Sequence, residues 1–300
     1  MEMKFFGVYP ALLTPFDEKE NVDEKRLRKI IKFLISKGVD GLYICGGTGE
    51  GMLMNVDERK KVAEIVKEEV GNKVKIITHI GGALNTKNTI ELAKHSEQLK
   101  IDALSSIPPF YYKFSFKEIY KYYKEVAENT SLPFFIYYIP VTTGVSITID
   151  EIWELSKIKN IIGIKYTNYD FFTLQNIILK TRWISFSGPD EMFLPALTMG
   201  VVGCIGSTQN VLPEIFIDIY KSFKEGNIKK AMEGQKRITI AVSILKKYDG
   251  ITAWKATMKF REIDVGYAKK PFENFLEKSK EKELKNEWKK YFPEFSEGIK

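Results

Sequence analysis

Residues 133–166, PFFIYYIPVTTGVSITIDEIWELSKIKNIIGIKY, decide the fold. The runs at 133–139 and 161–166 are almost continuously apolar, as strands are when both faces of a parallel sheet are covered. Between them Thr148 supplies an N-capping hydroxyl to a segment of helical period over 148–158. Strand, helix and strand in this order make a parallel unit, and the alternation continues on both sides. Further strands are expected at 7–15, 41–46, 74–80, 103–108, 183–188 and 202–206. Helices are expected at about 23–38, 56–70, 86–99, 115–129, 170–181, 191–199 and 212–225. Asp23, Ser115 and Asp170 stand where N-caps belong, and Gly38, Gly71 and Gly200 where helices stop. Eight such units with no second strand-rich region favour an α/β fold closed as a (β/α)8 TIM barrel over an open doubly wound sheet. After residue 227 the strand signals cease. The chain therefore divides into a barrel, 1–227, and a C-terminal helical extension, 228–300, with helices at about 229–247, 251–263 and 274–291.

Composition narrows the class of protein. Hydrophobic residues at 44%, charged residues at 28%, and 20 Phe, 15 Tyr and 4 Trp describe a folded globular chain rather than a disordered one. Subtracting 39 acidic from 46 basic residues leaves +7. The lysines are interleaved with acids, as in Asp57-Glu58-Arg59-Lys60-Lys61, which is the pattern of a solvated helix face, so no nucleic-acid partner is expected. Cys45 and Cys204 lie in apolar runs and cannot build a disulfide framework, which fits a reducing cytoplasm. The start MEMKFFGVYPALLTPF has no basic segment leading into a long apolar one, and no run of 18 apolar residues occurs. Neither secretion nor a membrane partner is expected.

In a barrel of this kind the reactive groups belong at the C-terminal ends of the strands. Lys165 closes the apolar run Ile161-Ile162-Gly163-Ile164. An ammonium there loses solvation, its pKa falls, and the neutral amine can form a Schiff base with a keto group. A lysine at a strand end could equally snorkel to solvent. Tyr137, on the preceding strand, could exchange protons with a substrate or merely pack. The turn Gly46-Gly47-Thr48-Gly49-Glu50 offers backbone N–H groups and a hydroxyl to an anion, although most such turns are only tight turns. Asp190 and Glu191 could cap the following helix or accept hydrogen bonds from a polyol. No phosphate or dinucleotide fingerprint occurs, so no nucleotide cofactor is indicated. The only histidines, His79 and His95, lack metal-site spacing; His79 reads as a satisfied barrel histidine and His95 as a helix-surface residue.

With Lys165, Tyr137 and the Gly-rich turn each at a strand end, the chain resembles the pyruvate-dependent class I aldolases of the N-acetylneuraminate lyase and dihydrodipicolinate synthase superfamily. The likeness extends from Pro10-Ala11-Leu12-Leu13-Thr14-Pro15-Phe16 to Lys270-Pro271-Phe272. It implies a (β/α)8 barrel with C-terminal helices, a homotetramer, and catalysis without a cofactor through a covalent Schiff base of pyruvate on Lys165. Residues 109–116, Thr142, Gly188-Pro189-Asp190-Glu191 and Gly206-Ser207-Thr208 resemble the lyase branch, and Thr142 stands where the synthase carries an arginine. The implied roles are Lys165 and Tyr137 in catalysis, Gly47 and Thr48 on the keto-acid carboxylate, and Thr167, Gly188, Asp190, Glu191 and Ser207 around the sugar chain. Tyr111 is implied to reach a neighbouring subunit's pocket. The implied reaction is cleavage of N-acetylneuraminate to pyruvate and N-acetylmannosamine. The alternatives on the same scaffold are a lyase of 2-keto-3-deoxy sugar acids and 4-hydroxy-tetrahydrodipicolinate synthase; a barrel that only binds a keto acid is the reading from another class. Gly47 departs from the Ser or Thr usual in both branches, and Gln209 from the tyrosine common in lyases.

Overall fold

Successive strand residues point to opposite faces, and in this chain both faces are apolar, which commits each strand to the interior of an α/β architecture. In the computed structural model, which describes residues 5–248 and 250–298, eight parallel strands alternate with helices. The strands are β1 (Gly7–Pro10), β2 (Gly41–Ile44), β3 (Lys75–His79), β4 (Ala103–Ser106), β5 (Phe134–Tyr138), β6 (Ile161–Tyr166), β7 (Ile184–Ser187) and β8 (Gly203–Gly206). Their order is β1-β8-β7-β6-β5-β4-β3-β2, and the ring closes where the Leu12 N–H donates to Tyr43 O at 2.8 Å. This is the expected (β/α)8 barrel. The first four residues of the amino-terminal stretch lie outside the described residues, as do Asp249 and the last two residues of the expected extension.

The helices are α1 (Glu24–Ser36), α2 (Val56–Val70), α3 (Thr86–Gln98), α4 (Phe116–Glu128), α5 (Pro140–Thr143), α6 (Ile149–Leu155), α7 (Phe171–Thr181), α8 (Phe193–Thr198), α9 (Pro213–Lys224), α10 (Ile228–Leu245), α11 (Gly250–Lys259) and α12 (Lys278–Tyr291). Asp23, Ser115, Thr148 and Asp170 each cap their helix through the side chain. Most element bounds shift by a few residues at one end, and three departures are larger. The strand expected over 7–15 stops at Pro10, where its ladder with β8 reaches Gly206, and the next residue, Ala11, makes only an isolated bridge to Tyr43 of β2. The helix expected over 191–199 is a 3₁₀ turn (Asp190–Met192) followed by α8, whose first turn holds Pro195 where a missing N–H costs nothing. A short helix, α5, was not expected from the sequence. Among the described residues no helix is long and apolar enough to cross a membrane.

The barrel interior is filled by pairing bulk with absence of bulk. Tyr9, Tyr43, Phe135, Tyr137 and Phe186 point inward, and glycines opposite them make room. A Cβ on Gly41 would lie 2.0 Å from the Tyr9 ring, and one on Gly163 2.5 Å from the Phe135 ring. Gly203 is tighter still, since its Cβ would meet the backbone oxygen of Gly7 at 2.0 Å, where no rotamer change can help. Gly203→Ala is therefore expected to part β1 from β8 and to cost about 2–3 kcal/mol, read as a lower midpoint in denaturant unfolding; an unchanged midpoint would show that the seam can open freely.

Candidate active site

The register of β5, β6 and β7 sets Tyr137 beside Lys165 and Lys165 beside Phe186. Lys165 is 5% exposed, and its Nζ lies 4.0 Å from the Tyr137 ring centroid and 4.3 Å from that of Tyr43. It does not snorkel. Among the described residues no carboxylate stands within ion-pair distance of it, and only the Asp190 charge further off favours its protonation. Desolvation dominates and lowers its pKa from 10.5 to about 7. Burial also raises the Tyr137 phenol to about 12, partly offset by the neighbouring Thr167 hydroxyl. Tyr43 completes the cage, with its phenol donating to Ser105 Oγ at 3.1 Å.

His79 is part of the wall. Its Nδ1 faces Cys45 O at 3.3 Å and its Nε2 accepts from the Ile107 N–H at 3.3 Å, so both nitrogens are used with the proton on Nδ1. Burial, with the nearby Arg59 and Lys165 charges, keeps the ring neutral. His95, on α3, instead pairs at the surface with Glu64.

The turn after β2 comes to the same mouth. Thr48 Oγ1 lies 2.6 Å from Ser207 Oγ, which joins the β2 and β8 loops into one hydroxyl pair. Gly47 is exposed, and a Cβ built on it would meet nothing within 4 Å, so nothing in the fold requires glycine there. Gly188 is different: a Cβ would strike Thr167 Oγ1 at 1.8 Å, and this close approach brings the β6 and β7 ends together. The Thr167 hydroxyl is buried near the Tyr137 phenol and makes no hydrogen bond of good geometry among the described residues.

The structure separates the two acids after β7, and neither carboxylate caps the helix that follows. Asp190 is 7% exposed and lies over Gly206; its Oδ2 accepts from the Thr208 N–H at 2.8 Å and its Oδ1 from Gln209 Nε2 at 3.4 Å. Burial raises its pKa from 3.8 to about 6. Glu191 Oε1 accepts from Tyr169 Oη at 2.7 Å and from Lys246 Nζ at 2.5 Å, and these two donors bring its pKa below the ordinary value against the opposing effect of burial. Tyr111 is not gathered with the others. It is 86% exposed, with φ of 79°, and its ring meets that of Tyr112 edge-on at 5.1 Å.

Sequence reasoning missed Tyr43, Tyr169 and Lys246. Tyr43 was detectable, because alternation on β2 turns it inward. Lys246 closes α10, 55 residues beyond Glu191, and no local pattern links them. Because the folded-state pKa of Lys165 lies below its ordinary value, the native state binds fewer protons through this group. The resulting cost is absent above pH 10.5, grows as pH falls, and is complete below pH 7. Lys165→Met should therefore raise stability at pH 7 by roughly 1–4 kcal/mol, with the gain shrinking toward pH 10 in thermal unfolding; a gain that does not vary with pH would point to packing instead.

The sequence profile of the dihydrodipicolinate synthetase family matches residues 4–290. The chain is 39% identical to N-acetylneuraminate lyase of Lactiplantibacillus plantarum over 267 residues, 88% of this chain and 91% of that one. It is 38% identical to N-acetylneuraminate lyase of Clostridium perfringens over 289 residues, 95% of this chain and 99% of the other. Among solved structures, CdNal from Clostridium difficile in complex with mannosamine superposes with a TM-score of 0.92 at 36% identity, covering 97% of this chain and all of that one.

Proposed function

The chain belongs to the dihydrodipicolinate synthetase family, and on that premise we propose that it cleaves N-acetylneuraminate reversibly to pyruvate and N-acetylmannosamine. It is a carbon–carbon lyase of the class I pyruvate aldolase type. The observation that carries the reading is the Lys165 amine, buried without a counter-ion against Tyr137, with a pKa brought to about 7. At neutral pH a large share of it is an uncharged nucleophile.

Lys165 Nζ adds to the C2 keto carbon, and loss of water gives a protonated imine on that nitrogen. The departing hydroxyl takes the Tyr137 phenol proton and leaves as water, and the new cation over the Tyr137 ring stabilises the phenolate that the buried residue alone resists. In that form Tyr137 takes the C4 hydroxyl proton. The C3–C4 bond then breaks, its electron pair enters the iminium to give an enamine, and the amino sugar leaves as an aldehyde. Protonation at C3 and hydrolysis release pyruvate and restore the amine. Lys165 supplies the electron sink, so the reaction calls for no cofactor or metal.

The Gly47 N–H and the Thr48 hydroxyl hold the carboxylate of the keto acid. The polyol lies toward Ser207, the Thr167 hydroxyl and the free Oε2 of Glu191, with Gly188 giving it room; Asp190 orders the β8 turn beneath. Thr142 is exposed on α5, where a synthase needs a cation for its second substrate, which supports the lyase reading. We further propose a cytoplasmic homotetramer in which a second subunit covers Tyr111.

Pyruvate with borohydride should add one adduct, at Lys165, and Lys165→Ala should abolish both adduct and cleavage. An unmodified wild-type chain would leave a barrel that only binds a keto acid. Adduct formation at low pyruvate should rise about tenfold per pH unit below 7 and level off above it, because only the neutral amine reacts; a profile still climbing toward pH 10 would mean an unperturbed lysine. Pyruvate release from a panel of keto sugar acids should favour the nine-carbon substrate, and a preference for six-carbon acids would replace sialic acid with a 2-keto-3-deoxy sugar acid.

A further inference from the structure

We propose that Lys255, in the C-terminal extension, is a positioning residue for the substrate carboxylate, because its ammonium holds the 46–51 turn in the shape that presents Gly47 and Thr48 to the barrel mouth. The inference rests on the reading above that this turn receives the keto-acid carboxylate. Lys255 lies on α11 and is 3% exposed. Its Nζ pairs with Glu50 Oε1 at 2.7 Å and donates to Thr14 O at 2.8 Å and Tyr267 O at 2.5 Å. Three segments distant in sequence thus meet on one cation.

Glu50 is the last residue of the turn motif and is itself buried. Its φ of 58° is left-handed, a conformation that costs a non-glycine residue about 1–2 kcal/mol and persists only when the surroundings impose it. The constraint comes from both oxygens of the carboxylate. Lys255 holds Oε1, and Oε2 accepts from the Lys269 N–H at 2.5 Å. The turn is gripped on its other side as well, where Thr14 Oγ1 donates to Gly49 O at 2.8 Å. The Glu50 N–H in turn donates to Gly47 O at 3.0 Å, so the backbone of the carboxylate-binding residue follows wherever Glu50 is placed. A buried ion pair gives little net stability over an apolar pair of the same shape. What this pair does supply is a fixed position for the turn.

Without the ammonium, the Glu50 carboxylate would be buried and unbalanced. It would take up a proton or turn outward, and in either case the grip on the turn is lost. Lys165 stands on β6, in a cage made by Tyr43 and Tyr137, and Lys255 touches none of these. The loss should therefore fall on pyruvate affinity and spare the chemistry of the amine.

The test uses the full chain, with pyruvate as the probe and borohydride trapping at Lys165 as the readout. Lys255→Met should raise the half-saturating pyruvate concentration about tenfold or more, with the rate at saturating pyruvate left within about threefold and the pH midpoint of trapping within about half a unit. Glu50→Gln/Lys255→Met removes both charges together and gives the same readout should the single variant fail to fold. Folded variants with unchanged half-saturation would overturn the proposal and leave Lys255 a stabilising residue. A wild-type chain that pyruvate does not modify would instead remove the aldolase reading, and this inference with it.

Discussion

An ammonium in a dry cavity is one of the most costly groups a fold can bury, and the site depends on making that cost serve the chemistry. Lys165 meets two aromatic faces and no adjacent carboxylate, so desolvation acts on it almost unopposed. The amine yields its proton near neutrality. The same dryness raises the phenol of Tyr137 and keeps the imidazole of His79 neutral, which leaves the cage without competing charge until an imine forms there. The nearest acid, Asp190, is restrained by hydrogen bonds from the β8 turn and is itself raised toward protonation.

The cage exists because of the way the barrel is filled. Its interior is occupied by Tyr9, Phe135 and Phe186, with Tyr9 packed over Gly41 and Phe135 over Gly163. The upper rim is polar and built from loops. Hydroxyls of Thr48 and Ser207 bond across the mouth, and Thr167 presses against Gly188, so groups from strands far apart in sequence converge above one nitrogen. The division follows from barrel geometry, in which strand interiors supply rigidity and the loops beyond them supply recognition.

The helical extension contacts the loops that follow β2 and β7. It sends one cation, Lys246, to Glu191 after β7 and another, Lys255, to Glu50 in the Gly-rich turn after β2. The first is largely exposed and screened, and contributes mainly orientation. The second is buried and ties the Gly-rich turn to the β1 loop and to the strap around Tyr267.

Much of this was legible in the sequence for local reasons. Parallel strands buried on both faces leave apolar runs such as FFIYY and IIGI, caps such as Ser115 and Thr148 mark helix starts, and a lone lysine ending an apolar strand marks a candidate, whose burial rather than snorkelling the fold decided. Where local signals were weak the boundaries moved, as at β1, whose ladder with β8 ends at Pro10. The eightfold alternation, the strand-end lysine and the Gly-rich turn were determined by residues near one another in the chain. The tertiary structure alone decided that Asp190 would serve the β8 turn while Glu191 paired with Tyr169 and Lys246, that Tyr43 would pack on the lysine, and that Lys246 and Lys255 would reach back to the barrel. Charges pair through space, and sequence patterns report only neighbours within a few turns or along one strand.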